Sequence, residues 1–248
     1  MNINDIMFNH FEKEYDVTNE KVTVGMKLSG GADSAIVYYA LCKRYEKNDN
    51  VNIVVLSLDT SRKCFYSRYA KRVIDIVGNM TGKYPVEHMT KYIEHWPDGG
   101  DSSPYSLGQN KLLNKATEKY NVKYCYSGLT KNPDIDDMIE YFEKNHEKHG
   151  LDLKRILKAI AERDSNRDQD LGLYDGYRPF GNSDKLAVSA QYRYYENLGI
   201  PLLNELFHNT DSCEEHDRHL DIGEDEDPVH CGHCWFCAER WYAFDRII

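Results

Sequence analysis

The sequence predicts an α/β fold: a parallel five-stranded sheet flanked by helices, followed by a helical C-terminal part that carries a four-cysteine metal site. Three observations predict it. Runs of β-branched apolar residues alternate with helical segments through the first half of the chain, the pattern of repeated strand–helix–strand units. A bare turn, "SGGADS" at 29–34, joins the first strand to the first long helix. Four of the seven cysteines fall in the last 36 residues, three of them in "CGHCWFC". With 248 residues, 41% of them hydrophobic, the chain can bury a core of this kind.

Taken in order, Ile3, Ile6, Met7 and Phe11 fit one face of a short N-terminal helix. "KVTVGMKLS" (21–29) alternates and then turns apolar, which predicts a strand. The segment 33–47 follows as a helix with Ile36, Val37, Ala40 and Leu41 inward. "NIVVLSLD" (52–59) is a continuous apolar run, the mark of a strand buried on both faces. The spacing of Tyr69, Val73, Ile76, Val77 and Met80 predicts a helix over 67–80. "YPVEHM" (84–89) contains Pro85 and reads as a weak or edge strand. A helix over 106–120 and a strand over 122–128 complete the placed elements, so four of the five strands have positions. Beyond them the pattern is helical at 135–147, 151–163, 183–198 and 235–247, with 164–170 as a flexible loop.

Charge and composition exclude several classes. A net charge of −10 argues against a protein that coats nucleic acid, which needs a basic face to neutralise phosphate. No apolar stretch reaches the roughly 18 residues that a membrane span requires, and the polar, acidic N-terminus does not read as a secretory signal. The expected location is cytoplasmic. In that setting clustered cysteines favour metal over disulfides.

Ligands of parallel sheets sit at the carboxyl ends of the strands, which singles out the loops 29–34, 59–66 and 128–137. In the first, Ser29, Gly30 and Gly31 leave backbone N–H groups open at a helix start, where an anion is favoured. Asp33 and Ser34 stand at the cap, able to satisfy those groups or to hold magnesium. The patterns GxxxxGK[ST] and GxGxxG are both absent. In the tail, Cys231, Cys234 and Cys237 are spaced by two residues, and Cys213 is the candidate fourth ligand. Four thiolates close a tetrahedral zinc site; an iron–sulfur cluster is the alternative.

"SGGADS" after a strand resembles the fingerprint of the PP-loop ATP pyrophosphatases. Together with "RPFGNSDKLAV" (178–188), "YYENLGIPL" (194–202), "TDSC" (210–213) and "HCGHCWFCAERWYAF" (230–244), the chain is most similar to the 7-cyano-7-deazaguanine synthases of queuosine biosynthesis. The resemblance covers 21–47 and 178–244 well and 48–177 poorly. It implies a nucleotide-binding α/β core over 1–140 and a helical region over 141–248 with the metal site, within one continuous domain. It also implies an ATP-dependent ligase: AMP is transferred to a carboxylate or carbonyl oxygen, pyrophosphate leaves, and nitrogen is added. ATP, magnesium (Mg2+) and a structural zinc (Zn2+) are the implied cofactors. The implied partners are a small-molecule acceptor and an ammonia donor, with a homodimer open and neither membrane nor stable nucleic-acid docking.

By the same resemblance, Ser29, Gly30, Gly31, Asp33 and Ser34 match the pyrophosphate loop. Lys185 matches a lysine that approaches the ATP phosphates, making Asp33 and Lys185 the catalytic candidates. Cys213, Cys231, Cys234 and Cys237 match the metal ligands. Asp59, at a strand end, is a candidate contact to adenosine, and Gly128 sits where the fourth strand must clear a nucleotide. Asp134, beside Pro133, is either a magnesium or substrate ligand or a helix N-terminal acid. The departures fall where a deazaguanine would be recognised: "LDTSRKCFYSR" and "KNPDIDDM" replace the family's usual segments, and an acidic run lengthens the gap from Cys213 to Cys231. PAPS reductase-like chemistry, tRNA thiolation and a non-catalytic nucleotide-binding module remain the competing readings.

Overall fold

The computed structural model describes residues 12, 14–60, 65–94, 103–163, 177–213 and 230–245. The N-terminal helix read from Ile3, Ile6, Met7 and Phe11, the loop 164–170 and the acidic run after Cys213 lie outside the described residues.

The elements follow the predicted alternation: β1 (Val22–Lys27), α1 (Ala32–Arg44), β2 (Val51–Thr60), α2 (Tyr66–Thr81), β3 (Glu87–Ile93), α3 (Ser103–Tyr120) and β4 (Val122–Ser127). Helices α4 (Ile135–His149), α5 (Leu153–Ala161), α6 (Lys185–Asn197), α7 (Leu202–Glu205) and α8 (Trp235–Phe244) complete the chain. The predicted boundary at residue 140 falls inside α4. Among the described residues no helix is long and apolar enough to cross a membrane.

The strands form one parallel sheet in the order β3-β2-β1-β4. The described sheet therefore has four strands where the sequence predicts five. Beside β4, the fifth position is a one-residue parallel bridge between Tyr126 and Tyr177. Tyr177 donates to Cys125 O at 2.7 Å and accepts from Ser127 N at 3.0 Å. The chain then turns, with Gly181 N donating to Arg178 O, and Pro179 has no N–H to extend a ladder. The third strand is also displaced from 84–89 to Glu87–Ile93, past Pro85, for the same reason.

β2 is buried on both faces, which is why it reads as an unbroken apolar run. Ile53 and Val55 join the main core with β1, α1, α2 and α6, while Val54 and Leu56 pack on Leu112 and Ala116 of α3. α1 is covered on nearly every side, burying Tyr38, Tyr39 and Cys42 as well as the four residues predicted to face inward. A further apolar cluster joins α4, α5 and α8 through Met138, Phe142, Ile156, Ile160, Trp235 and Ala238. The chain thus brings α8, from its far end, close to the carboxyl edge of the sheet.

Candidate nucleotide and metal site

A cavity opens at the carboxyl ends of β1, β2 and β4, and Ser29, Gly31, Asp33, Ser34, Gly128 and Lys185 all line it. These residues are distant in sequence, so the fold gathers most of the predicted constellation. Gly30 is required by shape as well as by conformation. Its φ is +81°, and a Cβ there would run into Tyr69 on α2. Gly31 is the N-cap of α1, with no side chain capping the helix, so its first N–H groups face the cavity end of the turn. Ser34 Oγ instead ties the turn together: it donates to Gly31 O at 3.1 Å and accepts from Ser29 N at 3.3 Å.

Asp33 does not cap the helix. Its Oδ2 lies 3.2 Å from Lys185 Nζ, and its buried Oδ1 has no hydrogen-bond partner among the described residues. Lys185 is 2% exposed at the first turn of α6, and its Nζ also lies 3.4 Å from Glu239 Oε2 on α8. Burial alone works against its charge, but the carboxylates of Asp33 and Glu239 outweigh that cost and hold the ammonium above the ordinary lysine range. The two carboxylates, not the depth of the site, keep this lysine a cation. Gly128 serves a packing need rather than clearance for a nucleotide alone: a Cβ there would strike the backbone of Asp33 and Ser34.

Two predicted residues stand apart. Asp59 ends β2, but its Oδ1 accepts from Ser67 N at 2.8 Å and so anchors the start of α2. Burial raises its pKa. Asp134 caps α4, accepting from Asp136 N and Asp137 N. Neither is among the residues lining the cavity.

The four cysteines converge. The Sγ atoms of Cys213, Cys231, Cys234 and Cys237 all lie within 4.8 Å of one another, with Cys231–Cys237 at 3.8 Å and Cys213–Cys234 at 4.0 Å. Zinc–sulfur bonds of about 2.3 Å set tetrahedral sulfur–sulfur edges of about 3.8 Å, so the quartet fits a single ion. Backbone N–H groups point at the sulfurs, from Cys234 to Cys231 at 3.2 Å and from Cys231 to Cys213 at 3.5 Å. Gly232, at φ +78°, makes the bend between them.

The knot also reaches the cavity. Asp211 N donates to Gly30 O at 3.0 Å, and Asp211 Oδ1 accepts from Cys213 N at 2.8 Å. Arg240, fully buried, braces the same segment through Thr210 Oγ1 at 2.9 Å, Phe207 O at 3.3 Å and the Phe207 ring. Asp211, Ser212, Phe236 and Glu239 were not singled out by the sequence, yet all four line the cavity. Their adjacency to the cysteines was the available signal. Lys27, Arg178 and Lys185 face Asp33, Asp211 and Glu239 around the wall, three cations against three carboxylates among the described residues.

No family model matches the chain, and no curated protein matches it. Among solved structures, the chain is similar to the U34-tRNA thiolase NcsA from Methanococcus maripaludis with its 4Fe-4S cluster. The TM-score is 0.45 at 15% identity, covering 98% of this chain and 75% of that one. At that level the likeness says nothing of what this chain binds or does.

Proposed function

We propose that the chain is an ATP-dependent adenylating enzyme of the PP-loop type. It holds ATP on the glycine turn, transfers AMP to a carbonyl or carboxylate oxygen of a small acceptor and releases pyrophosphate; nitrogen then displaces the AMP. The supporting observation is Lys185, a buried cation brought against Asp33 and the uncapped start of α1. As the acceptor oxygen attacks the α-phosphorus, the bond to the bridging oxygen breaks and negative charge grows on the leaving diphosphate. The turn's amides and Lys185 are placed to stabilise that charge. The unpartnered Asp33 Oδ1 suits a magnesium ion, which binds through one or two carboxylates and the substrate phosphates.

The short sulfur–sulfur distances support one tetrahedral zinc in the knot. An iron–sulfur cluster spreads its thiolates over several irons, and elemental analysis with an absorption spectrum separates the two. The test of the activity is to incubate the protein with magnesium, ATP, ammonia and a panel of acceptors that includes 7-carboxy-7-deazaguanine. AMP and pyrophosphate are the expected products; ADP and phosphate under every condition would falsify the reading.

A second reading rests on Cys125, a residue of the same cavity wall. Thiolation of a tRNA base shares the adenylation of a carbonyl oxygen and differs in using sulfur as the second nucleophile. Burial pushes the Cys125 thiol up to about 11, which disfavours the thiolate such chemistry uses. A thionucleoside formed from tRNA, ATP and a sulfur donor, and lost in C125S, would establish this reading over the first.

A further inference from the structure

The Thr210–Cys213 segment lies against the glycine turn, and its serine has no structural task. Ser212 is 8% exposed and lines the cavity, and its hydroxyl makes no hydrogen bond among the described residues. A Cβ added to Gly31 would stand 3.0 Å from Ser212 Oγ, so the hydroxyl sits directly over the bare backbone of the turn. A cavity-wall hydroxyl that the fold leaves unbonded is available to a ligand. The neighbours of Ser212, by contrast, each hold a bond that fixes the segment. Thr210 Oγ1 donates to Phe207 O and receives Arg240, Asp211 Oδ1 is held by Cys213 N, and Asp211 N is bound to Gly30 O.

We propose that Ser212 is a phosphate-binding residue, its hydroxyl donating to the diphosphate end of ATP opposite the amides of the glycine turn. The assignment rests on the ATP reading above and adds to it a donor from the far end of the chain. The anion is specified by its surroundings: open helix N–H groups on one side and the buried Lys185 ammonium on the other. Ser212 is kept at that point from two sides, by the Asp211–Gly30 hydrogen bond before it and by the Cys213 thiol after it. The knot then does more than close the tail: it carries a ligand-binding hydroxyl to the turn.

The test compares binding of ATP, inorganic pyrophosphate and AMP to the full chain and to S212A by titration calorimetry, with metal content measured on both. A hydrogen bond to a charged group predicts that S212A weakens ATP and pyrophosphate by roughly ten- to a hundredfold, with AMP affinity and metal content unchanged. Equal pyrophosphate affinity in S212A and the parent overturns the proposal and leaves the ATP reading standing. If the parent binds neither ATP nor pyrophosphate, both readings fail. Should S212A lose its metal, hydrogen exchange on the parent decides. Pyrophosphate, and not AMP, is expected to slow exchange across 210–213, and no such protection counts against Ser212.

Discussion

The glycine turn and the cysteine knot face one cavity and are built in opposite ways. The turn is six consecutive residues whose working parts are main-chain amides; its side chains are small or absent so that the backbone stays open. The knot gathers Cys213 with Cys231, Cys234 and Cys237 across a gap of 18 residues, and its working parts toward the cavity are the side chains it carries, Ser212, Phe236 and Glu239. A local backbone device depends on what is missing from it. A non-local one depends on what holds it shut.

Metal removal strains that contrast most. Structural metal sites contribute folding free energy, on the order of 10 kcal/mol in small zinc peptides. Chelation is therefore expected to free 210–213 and 234–239 and to weaken ATP binding more than a hundredfold, while exchange across β1 and α1 barely changes. Hydrogen exchange with and without chelator measures it; equal loosening of both regions would show that they are one cooperative unit.

Next comes the ion pair that joins the two. K185M leaves the buried Glu239 and the partly buried Asp33 without their shared cation, a loss of up to about 3–5 kcal/mol. Urea denaturation reads it, together with loss of AMP formation. A K185M protein as stable as its parent would mean that the lysine does not bind turn and knot together.

Glycine replacements give a finer comparison. Gly30 and Gly232 both have positive φ, but a Cβ meets Tyr69 at Gly30 and nothing within 4 Å at Gly232. G232A is expected to cost about 1–2 kcal/mol from backbone strain alone, and G30A clearly more, through displacement of α2. Matching midpoint shifts in the two variants would remove shape as the reason for Gly30.

The smallest effect is at alkaline pH. Burial raises the thiol of Cys125 to about 11 and that of Cys42 to about 12, both above the unfolded thiol value of 9.0. Between those values the folded state keeps protons that the unfolded state has lost, so stability falls as pH rises from about 9 toward 12. The raised Lys185 acts in the same direction, its contribution lost as pH climbs through its folded value. Melting temperatures at pH 8, 10 and 11 should decline in order, and a flat profile would argue against buried, neutral thiols.

What the sequence made legible follows the same division. The alternation of strands and helices and the glycine turn depend on neighbours in the chain and could be read from Val22 to Ser127; of the knot, the two-residue spacing of Cys231, Cys234 and Cys237 was the local part. The fifth strand had no legible run, and among the described residues a single bridge at Tyr177 stands beside β4. Asp59 and Asp134 looked functional by position, yet hydrogen bonds to Ser67 and to α4 engage them locally. Glu239 and Ser212 escaped because their contacts to Lys185 and Gly31 span 54 and about 180 residues, and only their place beside the cysteines marked them.

The balance of charge around the cavity wall has its own consequence. Lys27, Arg178 and Lys185 are matched by Asp33, Asp211 and Glu239, so among the described residues the wall is close to electroneutral. A bare tetra-anion entering it would bring uncompensated repulsion from the acids, whereas the same nucleotide arriving already chelated by a divalent ion carries far less excess charge and offers Asp33 something to grasp. On the proposed ATP reading, such a wall would favour the cation complex over the free nucleotide before any chemistry begins.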